Sequence, residues 1–133
     1  MITSCYPVLL VQDVPAAAAF FRDHFGFEVT FEADWYVSLQ APGQEIAVLG
    51  SDHPTVPAGY GHPASGVLVN IETDDVDAIW ERVSDKVEVL LPLRDEPFGQ
   101  RHFIARGPEG SLVDVITPIP PSEEFAAAFA PSA

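Results

Sequence analysis

Asp13-Val14-Pro15-Ala16, following the apolar run Val8 to Val11, recurs as Asp75-Val76-Asp77-Ala78 following Val67 to Ile71. The two stretches lie 62 residues apart, and the spacing still holds where Phe27 and Val29 match Val89 and Leu91. Further on, Ala41-Pro42-Gly43-Gln44 before Glu45 to Leu49 matches Pro108-Glu109-Gly110-Ser111 before Leu112 to Ile116. There the offset has grown to 67, so the second copy carries five extra residues ahead of its last hairpin. A duplicated module makes a pseudo-symmetric fold, and its chemistry is expected between the two halves.

Each copy reads β-α-β-β-β. In the first, Tyr6 to Val11 is a mostly buried strand. Asp13 caps the next helix, Pro15 suits its first turn, and Ala17, Phe20, Phe21 and His24 give a one-faced apolar stripe ending at Gly26. Phe27 to Phe31, Trp35 to Gln40 and Glu45 to Leu49 follow as strands, with Pro42 and Gly43 where a hairpin turn needs them. The second copy runs through Gly66 to Ile71, a helix from Val76 to Val83, then Val87 to Leu91, Arg101 to Arg106 and Leu112 to Thr117. The expected layout is a first module over 1–50, a Pro-, Gly- and His-rich linker over 51–65, a second module over 66–117 and a tail over 118–133. Ser122-Glu123-Glu124 is able to start a short helix in that tail.

The bulk numbers narrow the function classes. At 133 residues and 47% hydrophobic, the chain suffices for one compact domain that buries roughly two-thirds of its extended surface. Cys5 is the only cysteine, which forbids an intrachain disulfide and fits a reducing cytoplasm. There is neither a signal-like start nor an apolar run of membrane-spanning length. The formal charge of −14 repels phosphate backbones and anionic lipid, which argues against nucleic acid and membrane partners. A neutral or cationic small ligand is compatible with that field.

Three further motifs join the duplication: Val8-Leu9-Leu10-Val11-Gln12-Asp13, Phe20-Phe21-Arg22-Asp23-His24-Phe25-Gly26-Phe27, and Pro97-Phe98-Gly99-Gln100-Arg101 with Gly107-Pro108-Glu109-Gly110. In this order they make residues 6–117 similar to the vicinal oxygen chelate superfamily. It includes glyoxalase I, extradiol dioxygenases, fosfomycin-resistance transferases and bleomycin-binding resistance proteins. The resemblance implies an α+β fold in which tandem βαβββ modules form a curled mixed-sheet cleft. It also implies a homodimer, and in metal-using members a divalent ion held from the first and last strands of each module.

Transferred by register, those ligand positions become Tyr6, Ala47, Leu68 and Asp114. A cation held by protein groups needs about three nitrogen, oxygen or sulfur donors, and only Asp114 is a competent one here. The expectation is therefore no metal and no cofactor. His53 and His62 read as solvated linker residues, and the four histidines show no ligand spacing.

Strand alternation from Tyr6 and Asp114 gives the expected lining. On the first module it comprises Tyr6, Tyr36 and Ser38, with Ser38 opposite Ala47 and Tyr36 opposite Leu49. On the second it comprises Leu68, Asn70, Arg101, Phe103 and Asp114, with Arg101, Phe103 and Ala105 pointing inward and Asp114 able to pair with Arg101. Trp35 and Phe98 are the side chains able to stack on a flat ligand. Apolar walls with few polar groups suit an organic molecule. The leading expectation is metal-free binding of a small, flat, largely apolar, cation-compatible molecule, as in antibiotic sequestration. A metal-dependent lyase, isomerase or dioxygenase of the same superfamily is the alternative.

Overall fold

The computed structural model describes residues 1–131; the last two positions of the tail, 132 and 133, lie outside the described residues. The element order is β1 (Val8–Val11), α1 (Val14–Phe25), β2 (Glu28–Ala33), β3 (Tyr36–Ala41), β4 (Gln44–Gly50), β5 (Ser65–Glu72), α2 (Val76–Val83), β6 (Val89–Glu96), β7 (Gln100–Arg106), β8 (Gly110–Pro118) and α3 (Glu123–Ala126). Two four-stranded sheets result, ordered β1-β4-β3-β2 and β5-β8-β7-β6. The expected α+β duplication is thus present, with the same strand order in both copies.

The chain divides into two compact units. Unit 1 holds Met1–Val67 together with Gly107–Ser111, and unit 2 holds Leu68–Arg106 with Leu112–Ala133. The 51–65 stretch belongs to unit 1 because Ser51 N–H donates to the Val11 carbonyl and Ala64 N–H to that of Leu10. Gly107–Ser111 joins it through Glu109, whose carboxylate accepts from the N–H groups of Gln12 and Asp13 at 2.8–3.0 Å. Glu109 adopts φ 54°, a left-handed conformation unusual for a residue with a side chain.

In unit 1, β1 lies parallel to β4, while β3 is antiparallel to both β4 and β2. Asp13 caps α1 by accepting from Ala16 N–H, and Gly26 closes it at φ 72°. Alternation sorts the strands: Leu9, Val11, Val37, Leu39, Ile46 and Val48 are buried on the side that α1 covers with Val14, Ala17, Ala18 and Phe21. Each of these side chains apart from the two alanines stabilises the fold by roughly 1.5–3 kcal/mol of burial. Residues of opposite parity are left on the face away from the helix.

Unit 2 repeats this plan. Asp75 caps α2 by accepting from Ala78 N–H, and Thr117 Oγ accepts from Val76 N–H. Val76 and Val83 are buried on α2, and Trp80 meets Phe103 of β7 edge-on at 5.1 Å. Strand β6 is longer than its sequence pattern suggests and shifts register twice against β7. The tail is strapped to the β6–β7 turn, with Ile119 N–H donating to the Gly99 carbonyl and Ser122 N–H to that of Pro97. Gly99 is required there, since a Cβ would lie 3.0 Å from the Ile119 carbonyl at φ 105°. The short helix expected after Ser122 forms, and Phe125 packs on Phe98.

The two-sided sheet predicts contrasting costs for two phenylalanines. Phe21→Ala should lose about 3–5 kcal/mol in urea unfolding, because its ring is fully buried between α1 and the sheet. Phe31→Ala, on the other side, should stay within about 0.5 kcal/mol of the parent.

Candidate functional site

The uncovered sheet face of unit 1 is built by cross-strand register. Tyr36 pairs with Leu49, Ser38 with Ala47 and with Phe31, and Ala47 with Val8. The sequence-predicted partners of Ser38 and Tyr36 are therefore the observed ones. On this face Tyr6 is 40% and Phe31 51% exposed, so two aromatic side chains stand open instead of collapsing into core, and Trp35, just ahead of β3, is 44% exposed beside them. Phe31 meets Tyr36 at 6.1 Å and Trp35 meets Tyr36 at 5.8 Å. Burial raises the Tyr36 hydroxyl above its ordinary pKa; Ser38 opposes that by hydrogen bonding, and the neighbouring Tyr6 hydroxyl adds to it. The face thus offers rings plus a small hydroxyl group cluster.

His53 departs from the solvated linker residue expected of it. Its ring stacks on Trp35 at 4.2 Å and 20°. Its Nδ1 accepts from Thr55 N–H at 3.3 Å and lies 2.8 Å from Thr55 Oγ, so the linker fixes the ring as a second plane on the indole. Residues 51–62, including His53 and His62, surround a shallow depression of about 430 Å³. Another of about 390 Å³ lies among Thr3 to Tyr6 and Gln40 to Glu45.

Unit 2 corrects the expected parity of β7. Arg101 and Phe103 lie on the α2 side: Phe103 is fully buried against Trp80, and Arg101 bonds Asp77 of α2 at 2.8 Å and Asp95 of β6 at 2.9 Å. Those carboxylates hold the guanidinium above its already high pKa. The residues that share the Asp114 side are His102, which pairs with Ile116, and Ile104, which pairs with Asp114 itself. The cause is loop length. Two residues separate the last pair of the first hairpin, Ala41 with Gln44, whereas five separate Arg106 from Leu112. A change from an even to an odd count turns every side chain of β7 over.

The consequence is a polar chain that sequence reasoning missed. His102 Nδ1 lies 2.7 Å from Asp114 Oδ1, and its Nε2 lies 2.8 Å from Glu96 Oε2. The side chains of His102, Asp114 and Glu96 are only 4%, 7% and 14% exposed. Glu96 also accepts from Arg94 Nε at 2.9 Å. Burial on its own would lower the His102 pKa, but hydrogen bonds to Glu96 and Asp114 outweigh it and hold the imidazolium above the ordinary range. Hydrogen bonds from His102 and then Arg94 keep Glu96 below the usual carboxylate value. The alternating polar pair Gln100 and His102 was the signal available in sequence, since Asp114 needed a donor on the adjacent strand.

Leu68 and Asn70 fall on the more exposed side of β5, and Phe98 stands half-exposed at the β6–β7 turn, 6.3 Å from His102. Among the described residues, no three histidine, cysteine, aspartate or glutamate side chains come together to hold a metal ion. The donor set fits no chelated cation: Tyr6, Ala47 and Leu68 supply a phenol and two hydrocarbons, and Asp114 is already bonded to His102.

A sequence profile of the glyoxalase/bleomycin resistance protein/dioxygenase superfamily matches residues 5–115. The chain belongs to that superfamily. Solved structures with the same fold include TioX from Micromonospora sp. ML1, 21% identical with a TM-score of 0.73 over 88% of this chain and 99% of that one. Another is the bleomycin-binding protein from bleomycin-producing Streptomyces verticillus complexed with copper(II)-bleomycin, 25% identical with a TM-score of 0.65 over 88% and 97%. A third is lactoylglutathione lyase from Agrobacterium tumefaciens, 24% identical with a TM-score of 0.69 over 86% and 92%. No curated protein sequence matches the chain.

The shifted groups set a pH window. His102 is raised, so its contribution is full below its ordinary 6.5 and is lost as pH rises through its folded value. Glu96 is lowered, so its contribution is present above its ordinary 4.5 and is lost as pH falls through its folded value. Urea midpoints should therefore be highest between these limits and fall on both sides. In His102→Leu the alkaline fall should vanish, and stability at neutral pH should drop by about 3 kcal/mol, because two carboxylates lose their buried partner.

Proposed function

We propose that this protein binds a small, flat, largely apolar and cationic organic molecule without a metal, and that it sequesters a drug-like compound instead of transforming it. The observation that carries this reading is the uncovered aromatic face of unit 1. Exposing Tyr6 and Phe31 on that face, with an open Trp35 next to Tyr36, forfeits burial that a purely structural sheet would recover, and such surfaces mark ligand sites. A planar ring slid onto Trp35 and Tyr36 recovers that area and gains about 0.5–1.5 kcal/mol per well-placed aromatic pair.

Charge supports a cation. Unit 1 contains one basic side chain, Arg22, already bonded to Asp23, against eight carboxylates. An anion would meet that field unfavourably, whereas a cation gains both attraction and contact with ring faces. Ser38 and the Tyr6 and Tyr36 hydroxyls supply the few orienting hydrogen bonds. The bleomycin-binding relative lends weight to small-molecule binding within the family. Binding alone asks for no nucleophile or general base. A homodimer in the cytoplasm and a role in antibiotic resistance complete the proposal.

Titration with bleomycin and with planar cations such as proflavine, followed by tryptophan fluorescence, tests this. Saturable quenching should appear in the parent and disappear in Trp35→Phe, while Trp80 continues to report folding. Tyr36→Ala should weaken binding about tenfold, or about 1.4 kcal/mol. Turnover of a bound compound, or affinity unchanged by both substitutions, would contradict the reading.

A further inference from the structure

The Asp114–His102–Glu96 arrangement sets a carboxylate oxygen against each nitrogen of one imidazole ring. A neutral imidazole carries one N–H and one lone pair, while an ionised carboxylate only accepts. With oxygens 2.7 Å from Nδ1 and 2.8 Å from Nε2, a neutral ring would set a nitrogen lone pair against a carboxylate oxygen at one end. An imidazolium donates at both. Protonation of Glu96 instead is disfavoured by Arg94, whose guanidinium bonds the same Oε2 atom at 2.9 Å.

On the uncovered side, His102 and Asp114 have hydrocarbon neighbours, Ile116 and Ile104, as their register partners. Arg94, the β6 partner of His102, is bonded to Glu96. The α2 carboxylate nearest β7, Asp77, lies on the opposite side of the sheet with Arg101. Phe98 stands against the imidazole, with Phe125 of the tail behind it.

We infer that the imidazolium of His102 is the resident counter-cation of Asp114. It takes the charge-neutralising place that a divalent ion has in metal-using members of the superfamily and closes this position to metals. Asp114 is then no vestige of a chelating set. It is one end of an internal ion chain in which two carboxylates are matched by an imidazolium and a guanidinium. This inference concerns unit 2 alone and stands whether or not the aromatic face of unit 1 binds a drug.

The test uses the full chain and needs no ligand. Long-range ¹H–¹⁵N spectra of ¹⁵N-labelled protein at neutral pH report each imidazole nitrogen separately. His102, assigned through its contacts with Phe98 and Ile116, should show both nitrogens protonated. The same protein, loaded with excess zinc, nickel or manganese and then dialysed, should retain no stoichiometric metal. In thermal unfolding, the charge-matched double variant H102Q/D114N should regain most of the Tm lost by H102Q alone, which a merely space-filling histidine would not produce. A single protonated nitrogen on His102 would overturn the inference. So would stoichiometric metal that D114N releases, or a double variant no more stable than the sum of its parts.

Discussion

A carboxylate cannot be left unpartnered in a protein interior, and Asp114 on β8 makes that constraint the organising fact of unit 2. The adjacent strand has to present a donor at its side, and β7 does so with His102. Once His102 faces that way, Arg101, Phe103 and Ala105 face the other. The helix α2 then gains an aromatic partner for Trp80 and a guanidinium for Asp77. Glu96 and the strapped tail follow, since the far nitrogen of the imidazole needs its own acceptor and the ring needs cover. The odd-count hairpin sets the facing of the whole strand, and this pairing is what that facing satisfies.

The duplication has been used in two different ways. Both units share strand order, a capped helix and a helix-covered apolar side. Their uncovered sides have diverged in chemistry. Unit 1 carries open aromatic rings with hydroxyl groups, held beside an indole that a linker histidine stacks upon. Unit 2 carries an enclosed chain of alternating charges. Asp114, the one competent donor among the transferred positions, is bonded to His102.

Much of this was legible in residues alone, and for stated reasons. Asp13 and Asp75 announced both helices because a capping carboxylate followed by an apolar period has few other readings. Pro42-Gly43 fixed a two-residue turn, so the partners of Ser38 and Tyr36 followed by counting. The second hairpin resisted the same counting. Gly107 to Ser111 makes a five-residue connection in which Glu109 takes φ 54° and reaches Gln12 and Asp13, a long-range anchor that no local pattern encodes. That odd count reversed Arg101 and Phe103 and concealed His102. The Trp35–His53 stack was hidden likewise, because it joins a strand end to a linker eighteen residues on. Local signals were readable where a turn was short; pairings across long connections were not.

The most direct test of the account is anomalous diffraction from crystals of the protein grown with excess manganese or zinc. The account predicts Asp114 and His102 within hydrogen-bond distance of each other, as here at 2.7 Å, and no anomalous peak at coordination distance from the Asp114 carboxylate. A strong peak bound by Asp114, with His102 swung away from it, would contradict the claim that this fold's inherited cation position is filled by the chain's own imidazolium.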